Sequence, residues 1–291
     1  MMTVVDAHLH LWDLDAHPQP WTRPWPVLRR SFCVEELRAV LGAHGVGSAI
    51  VVQAGDTTGE TLDLLVLAAS ETVIAGVVGW ADVRAPDLLV QLDRLVASPG
   101  GHRLVGLRHQ LQVEPDTRWL ARTDVRAGLR RLADRALVFD LVVSPEQLPL
   151  VTETVRAVPE TSFVLDHAGK PPIAGGDLSA WRRDITALAG LPNVAVKLSG
   201  LVTEAAWDTW TQEQLDPVID HVVDCFGPGR VMAGSDWPVC LLAADYAAVQ
   251  ATLQGLLDRL DPDERRAVLG GTARRWYLGW AAFTAAGQEG R

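Results

Sequence analysis

The sequence predicts an α/β chain folded as one (β/α)8 TIM-barrel domain over residues 1–291. Three observations carry that expectation. Eight apolar runs are spread from end to end: Val4–His10, Ser48–Ala54, Ile74–Ala81, Leu104–Gln110, Leu137–Val143, Ser162–His167, Val194–Ser199 and Val231–Asp236. Their apolar residues are mostly continuous, not alternating, as in parallel strands covered on both faces. Amphipathic segments lie between them, and 291 residues is the size that eight β/α units require.

The first run, Val4-Val5-Asp6-Ala7-His8-Leu9-His10, reads as a buried strand ending in two histidines. Residues i and i+2 of a strand share a side, so both imidazoles face one space. The last run ends in Ser235 and Asp236. If the strands from the two ends of the chain lie side by side, the barrel closes and brings the histidines to the aspartate. Helical spacing appears at Val34–Leu41, Asp124–Ala136, Pro145–Val158, Gln212–Phe226 and Asp245–Leu260. Ser144-Pro145-Glu146 and Asp261-Pro262-Asp263-Glu264 are helix starts, each with a capping side chain followed by proline in the first turn. The alternative is an open doubly wound sheet. It would call for a glycine-rich turn after the first strand, where this chain has Leu11-Trp12-Asp13. Asp13–Phe32 is the longest irregular stretch, rich in proline and tryptophan; it follows the first strand and is expected to cover the mouth of the barrel.

Composition narrows the function classes. The formal charge of −10, from 26 basic and 36 acidic side chains, argues against a nucleic-acid or anionic-membrane surface. Cys33, Cys225 and Cys240 are an odd number with no C-x-x-C spacing, so they are expected to be reduced, buried packing residues in a cytoplasmic protein. The N-terminal Met1-Met2-Thr3-Val4 has no basic region before a long apolar stretch, and no run reaches about 18 apolar residues, which predicts neither a secretory leader nor a membrane span. Eleven tryptophans against two tyrosines, with Trp12, Trp21 and Trp25 clustered early, lean toward a carbohydrate-like ligand.

In a TIM barrel the chemistry sits at the C-terminal ends of the strands. Those ends carry His8 and His10; Gln53; Trp80 and Asp82; Arg108, His109 and Gln110; Asp140; Asp166 and His167, with Lys170 just beyond; Lys197 and Ser199; then Ser235, Asp236 and Trp237. Buried polar groups are costly unless paired, so a ring of this density marks a site. Trp12, Gln53, Trp80, His109, Lys170 and Trp237 are the expected substrate contacts. Ser199 and Ser235 lack a G-x-S-x-G context, which weighs against a serine esterase. His44, His102 and His221 fall in loops or helical patterns and read as structural or surface residues, while His17 belongs to the long first loop.

Asp6-Ala7-His8-Leu9-His10-Leu11-Trp12-Asp13, Gly106-Leu107-Arg108-His109, Asp166-His167-Ala168-Gly169-Lys170-Pro171, Val196-Lys197-Leu198-Ser199-Gly200-Leu201 and Gly234-Ser235-Asp236-Trp237-Pro238 occur in that order. The set resembles the motifs of the amidohydrolase superfamily. Its nearest likeness is the amidohydrolase 2 branch, which holds sugar-acid lactonases of the L-fuconolactonase, L-rhamnonolactonase and pyrone dicarboxylate lactonase kinds. That resemblance implies hydrolysis of a lactone ester in carbohydrate metabolism. It implies Asp236 as the base that activates water, His8, His10 and His167 around a divalent metal, and Arg108 and Lys197 on substrate oxygens. His167 is counted with the catalytic groups. Metal-dependent members usually carry a histidine on strand five and a Lys or Glu ligand on strand four; here those places hold Asp140 and Arg108.

A single zinc held by His8, His10, His167 and Asp236 is chemically sensible, and the resemblance also admits a metal-independent enzyme. Two other functions stay open: a metal-dependent non-oxidative decarboxylase, and a silent barrel that only binds a sugar acid. The expected partner is a small lactone, without nucleic acid or membrane, in a chain free to form a homo-oligomer.

Overall fold

The computed structural model describes residues 4–279, so Met1, Met2 and Thr3 of the segment read for a leader lie outside it. Strands β1 (Val4–Leu9), β2 (Val46–Val52), β3 (Ile74–Gly79), β4 (Leu104–His109), β5 (Val138–Leu141), β6 (Phe163–Leu165), β7 (Val194–Leu198) and β8 (Val231–Ala233) form one sheet in chain order. Every neighbouring pair is parallel. The helices are α1 (Val34–Ala43), α2 (Thr58–Ser70), α3 (Leu88–Ala97), α4 (Thr123–Ala133), α5 (Leu148–Ala157), α6 (Ser179–Ala189) and α7 (Gln212–Phe226), then α8 (Tyr246–Ala251), α9 (Gln254–Arg259), α10 (Pro262–Arg266) and α11 (Thr272–Tyr277). This is the (β/α)8 barrel expected from the alternation of the sequence.

Closure takes place at the expected seam. Leu9 forms a parallel bridge with Trp237. The Asp236 N–H donates to the His8 carbonyl at 2.8 Å, and the His10 N–H to the Trp237 carbonyl at 2.7 Å. The barrel is therefore sealed by the backbone of the residues whose side chains form the site.

Two layers of apolar residues hold the fold. Leu107, Phe139, Leu165 and Val196 pack outward with helix residues such as Leu129, Val151, Ile185 and Val218. A separate cluster gathers Val5, Ala7, Val52, Val138, Val164, Ala195 and Met232, closed by Ala273 and Tyr277 of α11. Side chains repeat their direction every two residues, so Asp140, Asp166 and Lys197 share a side with Val138, Val164 and Ala195. The barrel interior thus has an apolar floor with a charged layer above it.

β1 departs from a regular strand. Asp6 is opposite Ala49 but Leu9 is opposite Val51, so β1 holds one residue more than β2 over this stretch. Such a bulge re-aims side chains. Here Ala7 packs with the inner cluster, and His8 still reaches the inner charged layer. The Asp6 carboxylate holds the distortion: it accepts the His8 N–H at 3.1 Å, the Ser235 N–H at 2.9 Å and the Tyr246 hydroxyl at 3.0 Å.

Some local expectations are corrected. The helical pattern over Asp245–Leu260 divides into α8 and α9. The Thr252 hydroxyl bonds back to the Val249 carbonyl at 2.7 Å, and the Gln212 amide takes the Thr252 carbonyl at 2.8 Å, which diverts the groups a continuous helix would use. Of the cysteines only Cys240 is buried; Cys33 is exposed at the start of α1 and Cys225 is half-buried. Asp261 caps α10 with its carboxylate on the N–H groups of Asp263 and Glu264, as its sequence suggested. Among the described residues no helix is long and apolar enough to cross a membrane.

Candidate active site

A cavity of about 620 Å³ opens at the C-terminal ends of the strands. Its inner end is walled by His10, Arg108, His167 and Asp236, brought there from β1, β4 and the segments after β6 and β8. His8 lies directly behind, fully buried.

Three groups converge at that end. His10 Nε2 lies 3.3 Å from His8 Nε2 and 3.3 Å from Asp236 Oδ1, and His8 Nε2 is 3.7 Å from the same oxygen. The other nitrogen of each ring is already engaged: His10 Nδ1 donates to the Val52 carbonyl at 2.7 Å, and His8 Nδ1 faces Asp166 Oδ1 at 3.2 Å. Those contacts orient the rings so that both Nε2 atoms turn toward Asp236. Asp236 Oδ1 is buried without a hydrogen-bond partner. Two imidazole nitrogens and an orphaned carboxylate oxygen within ligand reach of one another fit a divalent cation. Burial alone would raise the Asp236 carboxyl, but His167 and the contact from His10 outweigh it and hold it below the usual carboxylate range, the ionised form a ligand or base needs.

His167 falls outside this trio. It groups with His8 and Asp166, and its Nδ1 contacts the Ser199 hydroxyl at 3.0 Å. The second grouping already contains a cation: Lys197 Nζ lies 2.9 Å from Asp166 Oδ1, 3.1 Å from His8 Nδ1 and 2.6 Å from Asp140 Oδ2. Lys197 is fully buried beneath the histidines and does not line the cavity, where a residue expected on substrate oxygens would lie. Burial would raise Asp166, yet Lys197 and His8 hold it well below the ordinary range. In Asp140 burial prevails and pushes the carboxyl up to about 6, with Lys197 and the Tyr277 hydroxyl at 2.7 Å opposing.

Arg108 spans the layers. NH1 reaches Asp166 Oδ2 at 3.3 Å and NH2 donates to the Gln53 carbonyl at 2.6 Å, leaving other guanidinium donors for the cavity. Lys170 lines the wall and is paired with Glu204 at 2.7 Å. The long first loop supplies His17, Gln19 and Trp21 to the opposite wall, so it does cover the mouth. Its anchor is an aromatic stack in which Phe32 meets Trp12 at 5.1 Å and Trp237 at 5.3 Å.

That stack accounts for two expected substrate contacts that lie elsewhere. Trp12 and Trp237 are 4% and 3% exposed and are absent from the cavity wall. Gln53 is buried, its amide bonded to the carbonyls of Gly55 and Thr57. Trp80 donates its indole N–H to His109, whose ring stacks on Trp119; neither lines the cavity. Strand-end position does not separate a side chain facing the cavity from one facing the helices.

Sequence reasoning passed over two glycines. Gly200 has φ +62°, and a Cβ there would come within 2.6 Å of His167 Nδ1 and 3.0 Å of Asp236 Oδ2. At Gly234 it would meet His8 Cβ at 2.9 Å. Both lie inside the quoted motifs, and the absence of a side chain lets the catalytic groups approach. Asp236 and His167 themselves have positive φ values of 59° and 53°, left-handed conformations that are strained for side-chain-bearing residues and recur at functional sites.

A family profile described as amidohydrolase matches residues 5–278. The chain is 41% identical over 285 residues to an L-fucono-1,5-lactonase of Burkholderia multivorans, covering 94% of this chain and 95% of that one. It is 35% identical over 278 residues to an L-fucono-1,5-lactonase of Burkholderia ambifaria, 94% of each chain. A crystal structure of a Burkholderia multivorans amidohydrolase with bound zinc superposes with a TM-score of 0.89 at 40% identity, over 95% of this chain and 99% of its own.

Proposed function

This chain belongs to the amidohydrolase family, and from that premise we propose that it opens the ester ring of a sugar-derived lactone with a water molecule activated by Asp236. The observation that carries the reading is the ionised, unpartnered Asp236 Oδ1 beside His8 and His10 at the cavity end, in a chain closely similar to L-fucono-1,5-lactonases.

The residues divide the chemistry between them. Asp236 accepts a proton from the attacking water as the new C–O bond forms at the lactone carbonyl. Arg108 places a guanidinium donor where negative charge develops on the carbonyl oxygen. The ring C–O bond then breaks, and the proton held by Asp236 passes to the departing alkoxide, giving a hydroxy acid. His167, steadied by Ser199 and by the space at Gly200, walls the reacting centre against bulk water. Asp140 and Asp166, paired with Lys197 and Arg108, form a layer of balanced charge that keeps His8 fixed.

His8, His10 and Asp236 are the groups that would hold a divalent ion, zinc by the nature of the donors and by the bound zinc of the similar amidohydrolase. Such an ion supplies Lewis acidity toward water and carbonyl oxygen when bound. The ammonium of Lys197 fills the place where a second ion would sit, which supports one ion per chain.

The test is a panel of aldonolactones followed with a pH indicator. Lactone opening releases a proton at neutral pH; decarboxylation releases CO₂ and takes one up. Acidification with at least one aldonolactone is the expected result, and silence across the panel would remove the reading.

A further inference from the structure

We propose that Asp56, on the loop between β2 and α2, is the specificity-determining residue of the cavity, accepting hydrogen bonds from substrate hydroxyls and so selecting polyhydroxylated lactones over bare ones. The proposal rests on the lactonase reading above.

Three carboxylates face the cavity: Asp56, Glu60 and Asp236. Asp236 belongs to the histidine cluster. Glu60 is 2% exposed and fully committed, taking the N–H groups of Ala54 at 2.7 Å and Gly55 at 3.0 Å and the Gln19 amide at 3.3 Å. Asp56 differs. Its side chain is 32% exposed and lies 3.6 Å from His109 Nδ1. A carboxylate has about four acceptor sites, so Asp56 keeps most of its capacity for a ligand. Partial burial raises its carboxyl, against His109 and Arg108, so donors from a bound molecule would relieve a real desolvation cost.

The chemistry of that ligand follows from the rest of the wall. Lys170 is already paired with Glu204, and the free guanidinium donor of Arg108 is the one assigned to the lactone carbonyl. An anionic substituent would meet no free lysine there and would face Asp56. Neutral hydroxyl groups, each a donor, match what the wall offers.

His109 and Trp80 leave the acceptor capacity of Asp56 intact. The indole N–H of Trp80 can only donate, so His109 Nδ1 accepts it at 3.3 Å, and Nε2 carries the proton given to Glu114 at 2.8 Å. The ring also stacks on Trp119, with centroids 4.4 Å apart and planes 10° apart. Three contacts lock the imidazole, and its Nδ1, engaged as an acceptor by Trp80, has no proton to give Asp56.

The experiment measures kcat and KM for wild type, Asp56→Ala and Asp56→Asn on a hydroxylated aldonolactone and on unsubstituted δ-valerolactone. Loss of a hydrogen bond to a charged acceptor is expected to raise KM for the aldonolactone about 10–100-fold in Asp56→Ala, with kcat little changed. Asp56→Asn keeps one acceptor oxygen and should lose less. Neither variant should change kcat/KM on δ-valerolactone. Equal losses on both lactones, or none on either, would overturn the proposal while leaving the lactonase reading intact; a wild-type protein inactive on both would remove the lactonase reading itself.

Discussion

The backbone N–H of Asp236 donates to the carbonyl of His8 across 2.8 Å. That bond joins the segment after the last strand to the first strand, and it sets the Asp236 carboxylate beside the two Nε2 atoms. The seam that closes the barrel therefore also assembles the site. A change that loosens the seam must also disperse the catalytic groups, whereas a change confined to one side chain need not disturb the fold.

Asp236→Asn is such a change. The amide keeps the shape and the backbone bond but cannot take a proton from water. Turnover should fall by about 10²–10⁴-fold, with the fold retained and a melting temperature no lower than that of the chelated wild type. Steady-state kinetics on the best aldonolactone check this, and a variant with more than half of the wild-type activity would remove Asp236 from the role of base.

Arg108→Ala should raise KM and also lower kcat, as the proposed contact of the guanidinium with substrate oxygen before and during the reaction requires. It also leaves Asp166 with one partner fewer, so the Ala variant should melt at a lower temperature. Arg108→Lys separates the two effects. It retains the charge near Asp166 but not the planar fork, so stability should recover more than turnover does.

Removing the metal tests the histidine trio. Thorough chelation is expected to abolish turnover and lower the melting temperature, with zinc restoring both. Elemental analysis should give one divalent ion per active chain. Two ions would contradict the assignment of the second position to Lys197, and His8→Asn protein that still binds one ion tightly would contradict the ligand set.

Gly200→Ala probes the approach of His167 to Asp236. A left-handed alanine costs about 1–2 kcal/mol, a fall of only a few degrees in melting temperature. The new methyl would contact His167 Nδ1 and Asp236 Oδ2, and a misplacement of about 1 Å can cost about 10²-fold in rate. Circular dichroism melts and kcat measured together should show activity lost far beyond stability. Parallel losses would make Gly200 a structural residue alone.

The sequence by itself determined the barrel, its eight strands, and the presence of His8, His10, Arg108, His167 and Asp236 at one end. It could do so because strand burial and β/α alternation are written in local patterns, and because strand order in a parallel barrel follows chain order. Only the tertiary structure decided how those residues divide. Lys197, a charged residue at a strand end like Arg108, went beneath the histidines because Asp140 and Asp166 from two other strands await it there. His167 stood apart from the trio it was grouped with, and Trp12 and Trp237 went to the stack that anchors the covering loop. The β1 bulge, the glycine clearances and the exposed acceptor capacity of Asp56 depend on atoms brought together from distant parts of the chain. Local pattern states that a side chain is polar and at a strand end. Which partner neutralises it, and so whether it meets the substrate, is settled by distances across the barrel that no local pattern contains.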